Sequence, residues 1–181
     1  MLRRRDFIWG LWGSLMLLTS RVVRAEHYLD LDEAARVLFP EADDFKPAAA
    51  ELDRAEKDRI RSESGMRVRK SQVQGLMARR GTETIGWVYL DEVIGKHEFI
   101  TYSVGIDAED AVRGIEILDY RETKGGAVRE AIWRMQFRGK TGADALRLGK
   151  DIENISGATL SCRNLTDGVR RLLATHAVLG R

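Results

Sequence analysis

Apolar and polar positions change their period along the chain, and the change divides it. Between His27 and Phe39, Leu29, Leu31, Ala34, Ala35, Val37 and Leu38 recur at helical spacing, with Asp30 or Asp32 placed to cap and Pro40 just beyond. A short helix is expected there. From Glu41 to Gly65 charged residues dominate and Leu52 and Ile60 are the main large apolar ones, which predicts a loop followed by a solvated helix over 48–61. After Gly65 the period becomes alternating. Ser71 to Arg79 fits a strand or a short helix, because Val73, Leu76 and Met77 satisfy both periods. Thr84 to Leu90 is apolar on both faces, the pattern of a strand central in a sheet. Phe99 to Ile106 sets Ile100, Tyr102, Val104 and Ile106 on one face and Thr101 and Ser103 on the other, predicting one buried and one open face. Asp107-Ala108-Glu109-Asp110 then turns the chain, and Val112 to Tyr120 returns with Ile115 and Ile117 inward as the second arm of a hairpin.

Glu122-Thr123-Lys124-Gly125-Gly126 is the next break, and the alternation of Ala131, Trp133, Met135 and Phe137 with Arg134 and Gln136 predicts another strand. The last element is a helix from Thr159 to Val178, with Leu165, Val169, Leu172, Leu173 and Val178 in one stripe. Burying such side chains contributes about 1.5 to 3 kcal/mol each before entropy, enough to fix the helix on the sheet. The pattern gives an α+β fold: an antiparallel sheet packed against a C-terminal helix, with additional N-terminal helices.

With 181 residues, 44% hydrophobic and 32% charged, the chain suits one globular core rather than a disordered or membrane-embedded protein. Residues 1–25 read as an export leader, with Arg3, Arg4 and Arg5 at the start, an apolar run from Phe7 to Leu18, and Val23-Arg24-Ala25 where a signal peptidase would cut. The run falls short of the roughly 20 residues that span a bilayer. Arg4-Arg5-Asp6-Phe7-Ile8 also resembles a twin-arginine signal, so two export routes stay open. Removing the leader, with its five arginines and one aspartate, takes the formal net charge from +2 to about −2. The basic pI therefore belongs to the leader, and the remainder carries no signature of nucleic-acid binding. A periplasmic protein, peripheral to a membrane at most, is expected. Its organisation reads as leader 1–25, N-terminal helical segment 26–65 and main domain 66–181.

The single cysteine, Cys162, excludes an intrachain disulfide; it is either a reactive thiol near a helix N-terminus or a small helix residue. His27, His97 and His176 have no ligand spacing between them, so neither a metal site nor a general base is assigned, and no acid/base pair nominates itself as catalytic. Trp87, Tyr89 and Trp133, at strand spacing, read as core. Arg138 and Lys140 are either phosphate contacts or a solvated strand end. The remaining candidate is Ser156-Gly157-Ala158-Thr159, a polar turn opening the last helix. The free N–H groups of a first helical turn attract phosphate. A threonine hydroxyl there can coordinate the phosphate, cap the helix or carry the phosphate as an ester.

These four residues, after Ile155 and before the final helix, resemble the flavinylation motif of the FMN-binding domain family. Its members include the periplasmic C subunit of the sodium-translocating NADH:quinone oxidoreductase and the G subunit of the Rnf complex. Gly86-Trp87-Val88-Tyr89, Gly114-Ile115-Glu116-Ile117, Glu122-Thr123 with its glycines, and Phe137-Arg138-Gly139-Lys140 are similar to the family's order of features, over roughly residues 80 to 178. The resemblance implies FMN joined covalently by a phosphoester to Thr159, installed from FAD by a flavin transferase, with Ser156, Gly157, Ala158, Glu122 and Thr123 around the cofactor. It further implies an electron carrier with a redox partner in the membrane. Two positions depart from the family: Glu153 stands where an aspartate is usual, and Lys124 where proline often follows the Glu-Thr pair. Two other functions compete with the carrier: a flavin-dependent reductase acting directly on a small molecule or metal complex, and a module that binds FMN noncovalently.

Overall fold

The computed structural model describes residues 29–122 and 126–181; the leader, His27, Thr123 and Lys124 lie outside them. The first helix, α1 (Leu31–Leu38), is closed at its N-terminus by a reciprocal capping box: Asp30 accepts from the Glu33 N–H at 2.8 Å and Glu33 accepts from the Asp30 N–H at 3.0 Å. The same device, Asp53 with Glu56, starts α2 (Arg54–Ser64), and Gly65 ends it in the left-handed conformation at φ +70°. That cap places α2 later than charge patterning suggested. The stretch expected to be a loop holds a short strand, β1 (Asp44–Pro47), and the start of the expected helix holds another, β2 (Ala50–Glu51), both paired with β3 (Gln72–Arg80). They share one edge of β3, and Pro47, which lacks an N–H to donate, sits where that edge is interrupted.

β4 (Glu83–Ile94), β5 (Phe99–Asp107) and β6 (Val112–Tyr120) complete an antiparallel sheet in the order β1-β3-β4-β5-β6, with β2 also on β3. As its apolar faces predicted, β4 lies in the centre. One face of the sheet carries the main core: Tyr89, Ile100, Tyr102, Val104, Ile106 and Ile115 pack against α4 (Thr159–Leu179), which contributes Leu165, Val169, Leu172 and Leu173. Tyr102 needs Gly168 opposite it, since a Cβ there would lie 2.2 Å from the phenol oxygen.

The other face is not open along its whole length. α1 lies across it, and a second core forms from Ala35, Leu38, Phe39, Ala78 and Val88. Three glycines on adjacent strands clear its path. A Cβ on Gly86 or Gly105 would meet the Phe39 ring at 2.5 or 3.1 Å, and one on Gly114 would meet Leu38 at 2.9 Å. Ser103, expected outside, is therefore fully buried.

The strand expected at 131–137 is instead a helical turn, α3 (Ala131–Arg134), followed by a 3-10 turn at Met135–Phe137. Trp133 and Phe137, four residues apart, are inside with ring centroids 5.2 Å apart, while Ile132 and Met135 are 79% and 65% exposed. Arg134 reaches the edge of β6 instead of a strand doing so: its guanidinium donates to the Ile115 carbonyl at 2.7 Å and pairs with Glu116. Among the described residues no helix is long and apolar enough to cross a membrane.

Candidate functional site

The last helix starts where a tight turn meets the end of the sheet. Ile155 accepts a bond from the Ala158 N–H at 3.0 Å, and Gly157 occupies the third position of that turn at φ +83°. Such a backbone conformation favours glycine. Ala158 is the N-cap, and its carbonyl takes the first helical bond from the Cys162 N–H at 2.9 Å. Ser156 therefore shapes the turn but does not cap the helix, and Thr159 is the first helical residue. Ala158 is buried, whereas Ser156, Gly157 and Thr159 are exposed. The space around Gly157 is open, with nothing within 4 Å of an added Cβ. The N–H groups of Thr159, Leu160 and Ser161 precede the first i to i−4 bond, so the positive end of the helix dipole and the threonine hydroxyl share one accessible surface.

Two attachments hold this helix end in place, and a cation stands beside the first. Tyr120, the last residue of β6, is buried with its hydroxyl against the Ser161 side chain, and burial foremost raises its pKa. The Arg129 guanidinium stands 5.4 Å from the Tyr120 ring centroid, bringing a cation to the same end. Asn164, in the second turn, donates to the Ile94 carbonyl at 2.7 Å and ties α4 to the end of β4.

Glu122 lies at this end but is occupied. Its Oε1 accepts from the backbone N–H groups of Lys96, His97 (2.5 Å) and Glu98 (3.1 Å), closing the β4–β5 turn. The bonds from His97 and Glu98 chiefly hold its carboxyl below the usual range. Gly95 makes room for it, since a Cβ there would come within 2.6 Å of Oε1. Thr123 falls outside the described residues.

Two residues that alternation placed in a strand turn out to serve the motif. Trp133 Nε1 donates to the Glu153 carbonyl at 2.8 Å, and the Glu153 N–H donates to Gln136 Oε1 at 2.7 Å. Helical spacing of Trp133 and Gln136 was the only sequence signal for this, and the competing alternation masked it. Asp151, near the motif in sequence, bonds the Leu146 and Arg147 N–H groups at 2.9 and 2.7 Å. Despite burial, which raises its pKa, these bonds and Lys140 lower it overall.

The other candidates separate from the site. Lys140 pairs with Asp144 and Asp151, and its carbonyl accepts from Val112, at the opposite end of β6 from Tyr120. Arg138 lines a groove of about 300 Å³ with Val37 and Met135. Cys162 is fully buried and burial pushes its thiol pKa up, the reverse of a reactive cysteine. Tyr89 and Trp133 are core, as read, and Trp87 packs against the core beside His176 with ring centroids 5.0 Å apart. No group of three or more His, Cys, Asp or Glu side chains among the described residues could hold a metal. A cleft of about 600 Å³ lies elsewhere, between residues 66–70, the end of β4 and the Asn164–Thr175 flank of α4, and Thr159 does not line it.

No curated protein matches the chain. The model of the FMN-binding domain family matches residues 95–174, a span containing β5, β6, α3, the whole turn and most of α4. The exposed phosphate-compatible helix end thus falls within the matched span, and over residues 95–174 the chain is similar to the FMN-binding domain family.

Proposed function

We propose that this protein is an electron carrier outside the cytoplasm, holding FMN covalently through a phosphoester on Thr159. The observation that carries the reading is the exposed Thr159 hydroxyl on the first turn of a helix otherwise anchored in the core, inside the FMN-binding match. The site fits the group: the turn at Gly157 is open, the first-turn N–H groups suit a phosphodiester, and Arg129 adds a cation nearby. Bound FMN supplies the redox chemistry, and the chain supplies attachment and orientation. In the attachment step the Thr159 oxygen forms a bond to the flavin-side phosphorus of FAD, the phosphoanhydride breaks, AMP leaves and the hydroxyl proton is released.

The leader pattern supports export, where a tethered cofactor would not be lost by dissociation. By the same resemblance the partners are a flavin transferase and a membrane redox protein. The test is intact-mass measurement on protein co-produced with a flavin transferase; an unshifted wild-type mass sinks the reading. The reductase alternative has one observation in its favour, the cleft whose α4 wall begins at Asn164, just beyond the first turn. Sustained turnover of a small acceptor by the flavin-loaded protein alone would favour it.

A further inference from the structure

The segment that leads into the turn is gripped by both of its backbone groups. At Glu153 the carbonyl is held by Trp133 Nε1 and the N–H by Gln136 Oε1, at 2.8 and 2.7 Å. Both side chains come from one helical turn after β6, and both reach a residue three positions before Ser156. Trp133 is itself fixed, buried edge-to-face on Phe137. From Glu153 the chain runs through Ile155, whose carbonyl closes the Gly157 turn, directly to Thr159.

We infer that Trp133 and Gln136 are positioning residues for modification of Thr159: they fix the path of the backbone so that the hydroxyl is presented in one pose. The inference rests on the covalent reading above. It also accounts for the residue that departs from the family pattern. The grip takes the backbone of Glu153 while its side chain is exposed, so the length of that side chain does not set the geometry of the turn.

Two measurements on the full-length protein test this. The first follows covalent flavin by intact mass over time, with FAD and a flavin transferase of the family, in wild type, Trp133→Phe, Gln136→Met and Gln136→Glu. Trp133→Phe keeps an aromatic ring but loses the donor, Gln136→Met keeps the shape but loses the acceptor, and Gln136→Glu keeps an acceptor. Attachment is expected to slow about tenfold, as for loss of one hydrogen bond of roughly 1.4 kcal/mol, in the first two, and to return toward the wild-type rate in Gln136→Glu. Wild-type rates in both Trp133→Phe and Gln136→Met would overturn the inference. The second follows amide hydrogen exchange across 155–160 in the flavin-free proteins. It is expected to quicken in Gln136→Met while exchange in the core of α4 stays unchanged, which also excludes a general loss of folding. If wild type takes up no flavin, the covalent reading fails by itself; unchanged exchange in Gln136→Met would then still refute the grip, and faster exchange would uphold it.

Discussion

At its C-terminal end α4 buries His176; at its N-terminal end it leaves Ser156, Gly157 and Thr159 in solvent. The imidazole is enclosed by Trp87 and Tyr89 and bonded on both nitrogens, to the Tyr89 hydroxyl at 2.8 Å and to Asp110 at 3.0 Å. Burial raises the Tyr89 pKa to about 12 and lowers that of His176, against the opposing pull of Asp110. By pKa perturbation alone the histidine end would attract attention as a functional site. Yet its polar atoms are satisfied within the protein, whereas the threonine end has an open surface and helix N–H groups directed outward. The contrast teaches that a perturbed group with all its partners in place is most simply structural, and that an accessible, incompletely satisfied terminus is where a ligand has something to add.

The largest expected effect concerns the open end. Thr159→Ala should take covalent flavin from full occupancy to none by intact mass. Stability should stay within about 0.5 kcal/mol in chemical denaturation, because Thr159 is exposed and is not the N-cap. A large loss of stability would mean that the open end is structural as well.

At the closed end, His176→Gln should cost about 1 to 3 kcal/mol in the same assay, since the buried imidazole's bonds to the Tyr89 hydroxyl and to Asp110 are lost or displaced, with flavin content unchanged. The histidine also fixes a pH signature. Its pKa is lower in the folded chain, so the unfolded chain binds the proton more readily. Its contribution is complete above the unfolded value of about 6.5 and is lost as pH falls through the folded value. Stability of the wild type should therefore decline on acidification from pH 7 to 5.5, and His176→Gln should flatten the decline.

Gly157→Ala sharpens the comparison from the other side. No atom obstructs the new methyl, so the whole cost is the left-handed backbone, about 1 to 2 kcal/mol. The smallest effect is expected for Glu122→Gln: faster amide exchange at Lys96, His97 and Glu98 with little change in global stability, since the carboxylate serves one surface turn.

Local periodicity carried the regular elements. The α4 stripe and the inward set Ile100, Tyr102, Val104 and Ile106 of β5 appear as expected because both belong to the main core, whereas the other face of β5 is covered where it was expected open. What failed depended on distant partners. The cover over the second face required Gly86, Gly105 and Gly114, on three strands, to align beneath Phe39 and Leu38, and no local window contains that alignment. At 131–137 the spacing of Trp133 and Phe137 fits both a strand and a helical turn, and the bond from Arg134 to β6 favours the turn. The motif was visible as residues, but its exposure, its actual cap at Ala158 and its support from Trp133 and Gln136 come only from the fold.

The family match begins at Gly95, inside the turn between β4 and β5, while the ladder of those two strands runs from Gly86 paired with Asp107 to Ile94 paired with Phe99. An expression fragment trimmed to the match would therefore begin with a naked sheet edge. Stripped of β4, α1 and the second core, β5 would offer its backbone to any neighbouring chain, and such a fragment should precipitate where the longer chain stays in solution.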